Sequence, residues 1–149
     1  MSGLRHKARI ITLQVLYELD CSEHNASEVL SRLTIEQKLP NEIADFVRHL
    51  TLGVETNKKV IDETISKYAP AFPVKQISAV DRNILRIAIF EMLFDSEVPF
   101  KAAINEAIEI SKHFSSDTSP KFINGVLGSV AKHMTDHVST GSTAQVDHP

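Results

Sequence analysis

Cysteine is nearly absent from this chain of 149 residues. Cys21 stands alone, so no intrachain disulfide can form and nothing points to secretion. Glycine and proline are sparse, at five and six, which leaves room for long regular elements. No apolar run reaches the ~20 residues that a membrane-spanning helix needs, and no signal peptide or lipidation pattern is visible, so the cytoplasm is the expected compartment. Catalytic signatures are missing as well: there is no phosphate-cradling GxxxxGK[ST], no GxGxxG after a strand, no nucleophile elbow and no CxxC. Neither β-alternation nor an internal repeat is present. A chain of this length makes one domain, or two small subdomains sharing a core.

The stretch present in strength is Asp81–Phe94, DRNILRIAIFEMLF. Its apolar side chains spread round nearly the whole helical circumference and leave one polar sector for Arg82 and Arg86. A helix apolar on almost every side must be wrapped by others, so it is read as the central rod of a helical core. Ser78 with Asp81 three residues on resembles a capping box. Glu91 falls on an apolar arc, where a carboxylate needs a partner; a structural hydrogen bond or ion pair is read ahead of catalysis.

Before the rod, Leu4–Cys21 reads as a first helix with Ala8, Ile11, Val15 and Leu19 on one stripe, widened by Ile10, Leu13 and Tyr17. Asn25 and Glu28 cap a second helix to about Leu39. Asn41 caps a long third one, bent near Gly53 and Asn57, which Pro70–Pro73 ends. After the rod, Pro99 opens a helix with the stripe Ala103, Ile104, Ala107, Ile108, Ser111 and Phe114. Ser119-Pro120 then starts a last helix that packs Phe122, Ile123, Val126, Leu127 and Val130. Gly125 and Gly128 lie on its polar side with Lys121, Asn124 and Lys132. Each interior glycine costs about 1 kcal/mol against alanine, so the face is bare either for close helix packing or for close approach of a ligand backbone. The expectation is an all-α bundle of six or seven helices: an N-terminal subdomain over 1–69, a C-terminal one over 74–135, and a disordered tail over 136–149.

The charge is unevenly placed. Net charge is −3, yet Arg5, Lys7 and Arg9 precede the first acid, Glu18, and from Glu18 to Glu63 ten acids face five bases. Cations at a helix N-terminus oppose its dipole at about 0.3–1 kcal/mol each. A run placed where it costs stability suggests a phosphate-binding edge, with the solvated surface as the bland alternative. His133 and His137 have i, i+4 spacing but no third ligand, so no metal is expected. Cys21 near His24 is read as packed, and Glu106 with Glu109 as a solvated face. Binding is favoured over catalysis: paired aromatics of a stacking platform are lacking, and cationic contacts to single-stranded RNA with limited stacking, completed by a second protein, fit best.

Several segments are familiar. Arg5-His-Lys-Ala-Arg9 leading into Gln14-Val-Leu-Tyr17, then Asp81-Arg-Asn-Ile-Leu-Arg-Ile-Ala88, Val98-Pro-Phe-Lys-Ala-Ala-Ile-Asn-Glu-Ala107 and Lys121-Phe-Ile-Asn-Gly-Val-Leu127 resemble the bacterial transcription antitermination factor family NusB. The likeness runs from about Arg5 to Ala131. It implies an all-α fold of two helical subdomains, binding to boxA-type single-stranded RNA, pairing with the small-subunit ribosomal protein NusE, and loading onto RNA polymerase to support antitermination on ribosomal RNA operons. Arg5, His6, Lys7 and Arg9 would contact RNA, joined by Lys121 and Phe122, and Tyr17 and Asp81 match positions near the partner surface. No enzyme activity or cofactor is implied, and a homodimer that hides the partner surface is left open. His6 departs from the arginine that members often carry, which makes charge there pH-dependent; Pro120 and the long tail also vary. The rival readings are a protein-only helical adaptor and the RNA-docking domain of an rRNA methyltransferase, whose Gly-rich cofactor region this chain lacks.

Overall fold

A computed structural model describes the backbone of residues 2–145 and the side chains of residues 3–135. Among the described residues are seven α-helices: α1 (Ser2–Cys21), α2 (Ala26–Glu36), α3 (Asn41–Thr56), α4 (Lys58–Tyr68), α5 (Ala79–Phe94), α6 (Phe100–Phe114) and α7 (Ser119–Gln145). A 3-10 turn, Val74–Gln76, precedes α5. The all-α bundle is therefore as the periodicity predicts. None of these helices is long and apolar enough to cross a membrane.

α5 is the rod. Every residue from Asn83 to Met92 is buried, and α1, α3, α4, α6 and α7 all pack on it. The Ser78 hydroxyl accepts the Asp81 N–H at 3.2 Å, and Asn25 Oδ1 accepts the Glu28 N–H at 2.9 Å, so both expected caps form. Asn41 caps nothing: Pro40 holds the N-cap position of α3, with no side-chain hydrogen bond. α2 stops at Glu36, short of Leu39, and Lys38 then takes a positive φ of 49°.

The expected long third helix is two helices. The chain breaks at Asn57, whose Nδ2 donates to the Gly53 carbonyl at 2.8 Å, an alternative to continuing the helical ladder. Gly53 itself is required by packing: a Cβ there would stand 2.2 Å from Cζ of Phe90, a ring only 5% exposed.

Buried apolar residues form two clusters that meet along α1. Leu13 and Leu16 join Leu50, Val54, Ile61, Ile65 and the inner faces of α5, α6 and α7. Ala8, Ile11 and Val15 join Val29, Leu30, Ile43 and Val47 of α2 and α3. The two parts of the core thus meet along the first helix. Phe114, expected in the α6 stripe, is 46% exposed, and Ile110 is buried instead. Backbone helix continues past Asp136 to Gln145, where the lost apolar period leads one to expect a disordered tail; the side chains there lie outside the described residues.

A second network anchors the N-terminal end of α5. Arg82 donates to Asp20 and to the Val74 and Ile77 carbonyls, clasping the 3-10 turn, while Arg86 pairs with Asp62 at 2.8 and 2.9 Å and reaches Asp20 at 3.2 Å. The polar sector of the rod is thereby satisfied inside the fold.

Gly53→Ala should cost about 1–3 kcal/mol in denaturant unfolding, because the Phe90 ring has no room to yield; Phe90→Leu in the same chain should return part of that loss. A neutral Gly53→Ala would contradict the close contact.

Candidate nucleic-acid interface

α1 lies antiparallel to α5, with Arg9 meeting Glu91 at one end and Asp20 meeting Arg82 at the other. Arg9 Nε and Nη2 donate to the two Glu91 oxygens, both at 2.9 Å, and Nη1 donates to Glu106 Oε1 at 3.1 Å. The side chains of Arg9 and Glu91 are 7% and 1% exposed. Burial alone would favour a neutral Arg9, yet the hydrogen bonds and charges of Glu91 and Glu106 outweigh it and raise its pKa. Arg9 forms an internal ion pair, the partner that buried Glu91 required, with three of its five N–H donors engaged.

The neighbours of Arg9 fare differently. His6 Nδ1 lies 2.9 Å from Glu106 Oε1 and is half-buried. Arg5 and Lys7 are exposed, and the Arg5 guanidinium lies 5.0 Å over the Phe46 ring. The unneutralised positive edge is therefore Arg5 and Lys7, with His6 behind them.

Sequence reasoning missed the rings beside this edge. Phe46 stacks on His49 at 5.9 Å, His49 meets Phe90 edge-on at 5.6 Å, and Phe90 stacks on Phe94 at 5.8 Å. The only signal was local spacing on two separate helices, i, i+3 and i, i+4; that they meet is a tertiary fact.

The other candidates sit at the opposite end of α5. Lys121 is exposed. Phe122 is half-buried, edge-on to Phe72 at 5.8 Å, beside a cleft that Ser78 and Asp81 also line. Glu91 and Asp81 are about 15 Å apart along the helix, so the structure does not bring Lys121 and Phe122 together with Arg5 and Lys7. Gly125 and Gly128 are exposed and a Cβ at either would meet nothing within 4 Å, so close packing does not explain them and the α7 face is bare.

Tyr17 is 45% exposed on an apolar groove with Leu13, Val80 and Phe114. Glu18 on its rim is held below the usual carboxylate range by hydrogen bonds from Arg32 and His24. Asp81, by contrast, is buried and accepts hydrogen bonds from the Ser115 and Ser119 hydroxyls, tying the α6–α7 turn to the start of α5. It lines the Phe122 cleft and not this groove. Cys21 is exposed at the groove, and His24 beside it is held by Glu18 at 2.7 Å. No group of three metal-ligating side chains occurs among the described residues, and His137 lies outside them.

Residues 6–132 match the model of the NusB family. The chain belongs to the NusB family. A transcription antitermination protein NusB from Dehalococcoides mccartyi is 48% identical over 136 residues, covering 91% of this chain and 95% of the relative. One from Roseiflexus sp. is 46% identical over 132 residues, covering 87% and 93%. Among solved structures, T. maritima NusB superposes with a TM-score of 0.80 at 30% identity, covering 86% of this chain and 90% of that one. A structure of antitermination factors NusB and NusE in complex with double-stranded RNA reaches 0.81 at 24% identity, covering 89% and 99%, a likeness that speaks for the shared NusB fold.

Arg9→Ala should destabilise the protein by about 3–5 kcal/mol, because it leaves Glu91 charged and unpaired in the core; calorimetric or denaturant unfolding checks it. Asp20 gives a pH-dependent counterpart. Burial raises its pKa, but hydrogen bonds from Arg82 and Asn83 and the charge of Arg86 more than offset this and hold it below the ordinary range. A depressed folded-state pKa adds stability that is present above the unfolded value, near pH 4, and is lost as pH falls through the folded one. Asp20→Asn should lower stability at neutral pH and flatten the decline below about pH 4, read from unfolding midpoints across pH.

Proposed function

We propose that this chain is a transcription antitermination factor that binds boxA-type single-stranded RNA together with the ribosomal protein NusE and joins the RNA polymerase antitermination complex, supporting transcription of ribosomal RNA operons. The observation that carries the reading is the exposed pair Arg5 and Lys7 at the start of α1. Cations there oppose the helix dipole, and the buried Arg9–Glu91 pair holds that turn in place. Membership of the NusB family supplies the context: its named relatives are antitermination proteins, and one solved relative is assembled with NusE and RNA.

In this reading Arg5 and Lys7 bind backbone phosphate, and His6 lends a ring nitrogen shared with Glu106. Lys121 and Phe122, beside the bare glycine face, serve a separate stretch of the same strand about 15 Å away along the α5 axis. Tyr17 and the apolar groove receive NusE, with Asp81 tying the α6–α7 turn to the start of α5 beside it. The acidic body supplies few phosphate contacts of its own, which is why the protein partner completes the RNA site.

Lys7→Ala and Arg5→Ala should each weaken RNA binding and flatten the plot of log K against log salt by about 0.7. Titrations of single- and double-stranded boxA RNA, with and without NusE, measure this. Binding that ignores salt and both substitutions would overturn the assignment.

A further inference from the structure

Resting on the RNA-binding reading above, we propose that the cleft between the first turn of α1 and α3 is a nucleobase subsite, selective for a base that carries an exocyclic amine. The cleft has a volume of about 290 Å³ and its lining includes Arg5, Glu42, Asp45, Phe46 and His49. Three features point to a base rather than to another phosphate.

The first is the ring row. His49 lies nearly parallel to Phe46, with 20° between the planes, and its side chain is 53% exposed. Behind it stands the edge of Phe90, itself stacked on Phe94, and Asp95 lies 3.7 Å from His49 Nε2. An aromatic surface braced in this way is a stacking platform, and stacking accepts a splayed base without reorganising the protein. The second is Arg5, whose flat guanidinium over Phe46 at 5.0 Å offers a second plane at the cleft while its charge faces the strand. The third is the pair of carboxylates. Glu42 and Asp45 are exposed on the cleft, and among the described residues neither is engaged in a hydrogen bond or ion pair. Two anions repel phosphate but accept N–H donors, and carboxylates have acceptors only. Cytosine and adenine present an amine that suits them, and uracil does not. The strand would thus lay its phosphates on Arg5 and Lys7 and turn one base inward.

The test compares single-stranded oligo(C) and oligo(U) of equal length on the full chain with NusE bound. The wild type should prefer oligo(C) by about tenfold. His49→Ala should weaken oligo(C) about tenfold without altering the salt slope, because stacking releases no counterions. Glu42→Gln with Asp45→Asn should erase the preference and leave oligo(U) no weaker, while Lys7→Ala lowers both RNAs and flattens the slope. Thermal melts confirm that each variant is folded; all three altered side chains of the cleft are exposed, so its surface rather than its core is changed. Equal binding of the two RNAs by the wild type, or an inert His49→Ala beside a Lys7→Ala that loses slope, overturns the subsite and leaves the phosphate edge standing. Failure of every RNA to bind overturns both. A His49→Ala that weakens only the NusE complex, measured without RNA, makes the cleft a protein contact and overturns the subsite as well.

Discussion

The bidentate ion pair between Arg9 and Glu91 is the constraint on which the rest of this molecule depends. Two charges are held out of water, so the pair survives only because both oxygens of Glu91 and three donors of Arg9 are satisfied. That requirement fixes the rotation of α1 on α5 and its distance from α6, where Glu106 takes a third donor. Once α1 is so fixed, Ala8, Ile11 and Val15 turn toward α2 and α3, Leu13 and Leu16 turn toward the main core, and Arg5 and Lys7 turn toward solvent. The pairing of one cation inside the fold thus decides which two face solvent.

The same logic repeats at the far end of the rod with different chemistry. Asp20 receives Arg82, Asn83 and Arg86, and Asp81 receives two serine hydroxyls, so this end of α5, like the Glu91 end, is tied by buried or half-buried carboxylates to neighbouring elements. Hydrophobic area supplies the driving force for the bundle. These directional contacts decide which of many similar apolar packings is adopted, and they leave the groove at Tyr17 and the edge at Arg5 on opposite ends of one rigid element.

Much of this was legible from residue order. The near-complete apolar circumference of Asp81–Phe94 identified the central helix, the caps at Asn25 and Ser78 identified two helix starts, and a carboxylate on an apolar arc announced that Glu91 has a partner. What stayed hidden was partnership across long separations. Arg9 reads as one more cation of a basic run because its i, i+4 relation to Arg5 is local, whereas Glu91 and Glu106 reach it only through tertiary packing. Asp81 has the pattern of a capping-box acid, and its hold on the serines of the α6–α7 turn is a tertiary fact. Phe114 keeps the helical period yet faces a groove, because no neighbouring element covers that end of α6. The ring row is invisible in sequence for the same reason: Phe46 and His49 lie on α3, and Phe90 and Phe94 on α5. The break at Asn57 was half visible, since Gly53 suggested a bend, but the close approach of Phe90 that demands the glycine was not.

The first helix closes against a residue 82 positions further along the chain. During synthesis, then, the N-terminal segment leaves the ribosome with its inward-turned guanidinium still hydrated, and it stays provisional until the fifth helix has emerged. Closing so wide a loop carries its entropy cost before the contact repays it. Arg5 and Lys7 are thus among the earliest residues made and the last to be set in position, so an incomplete nascent chain carries that turn loose rather than ordered.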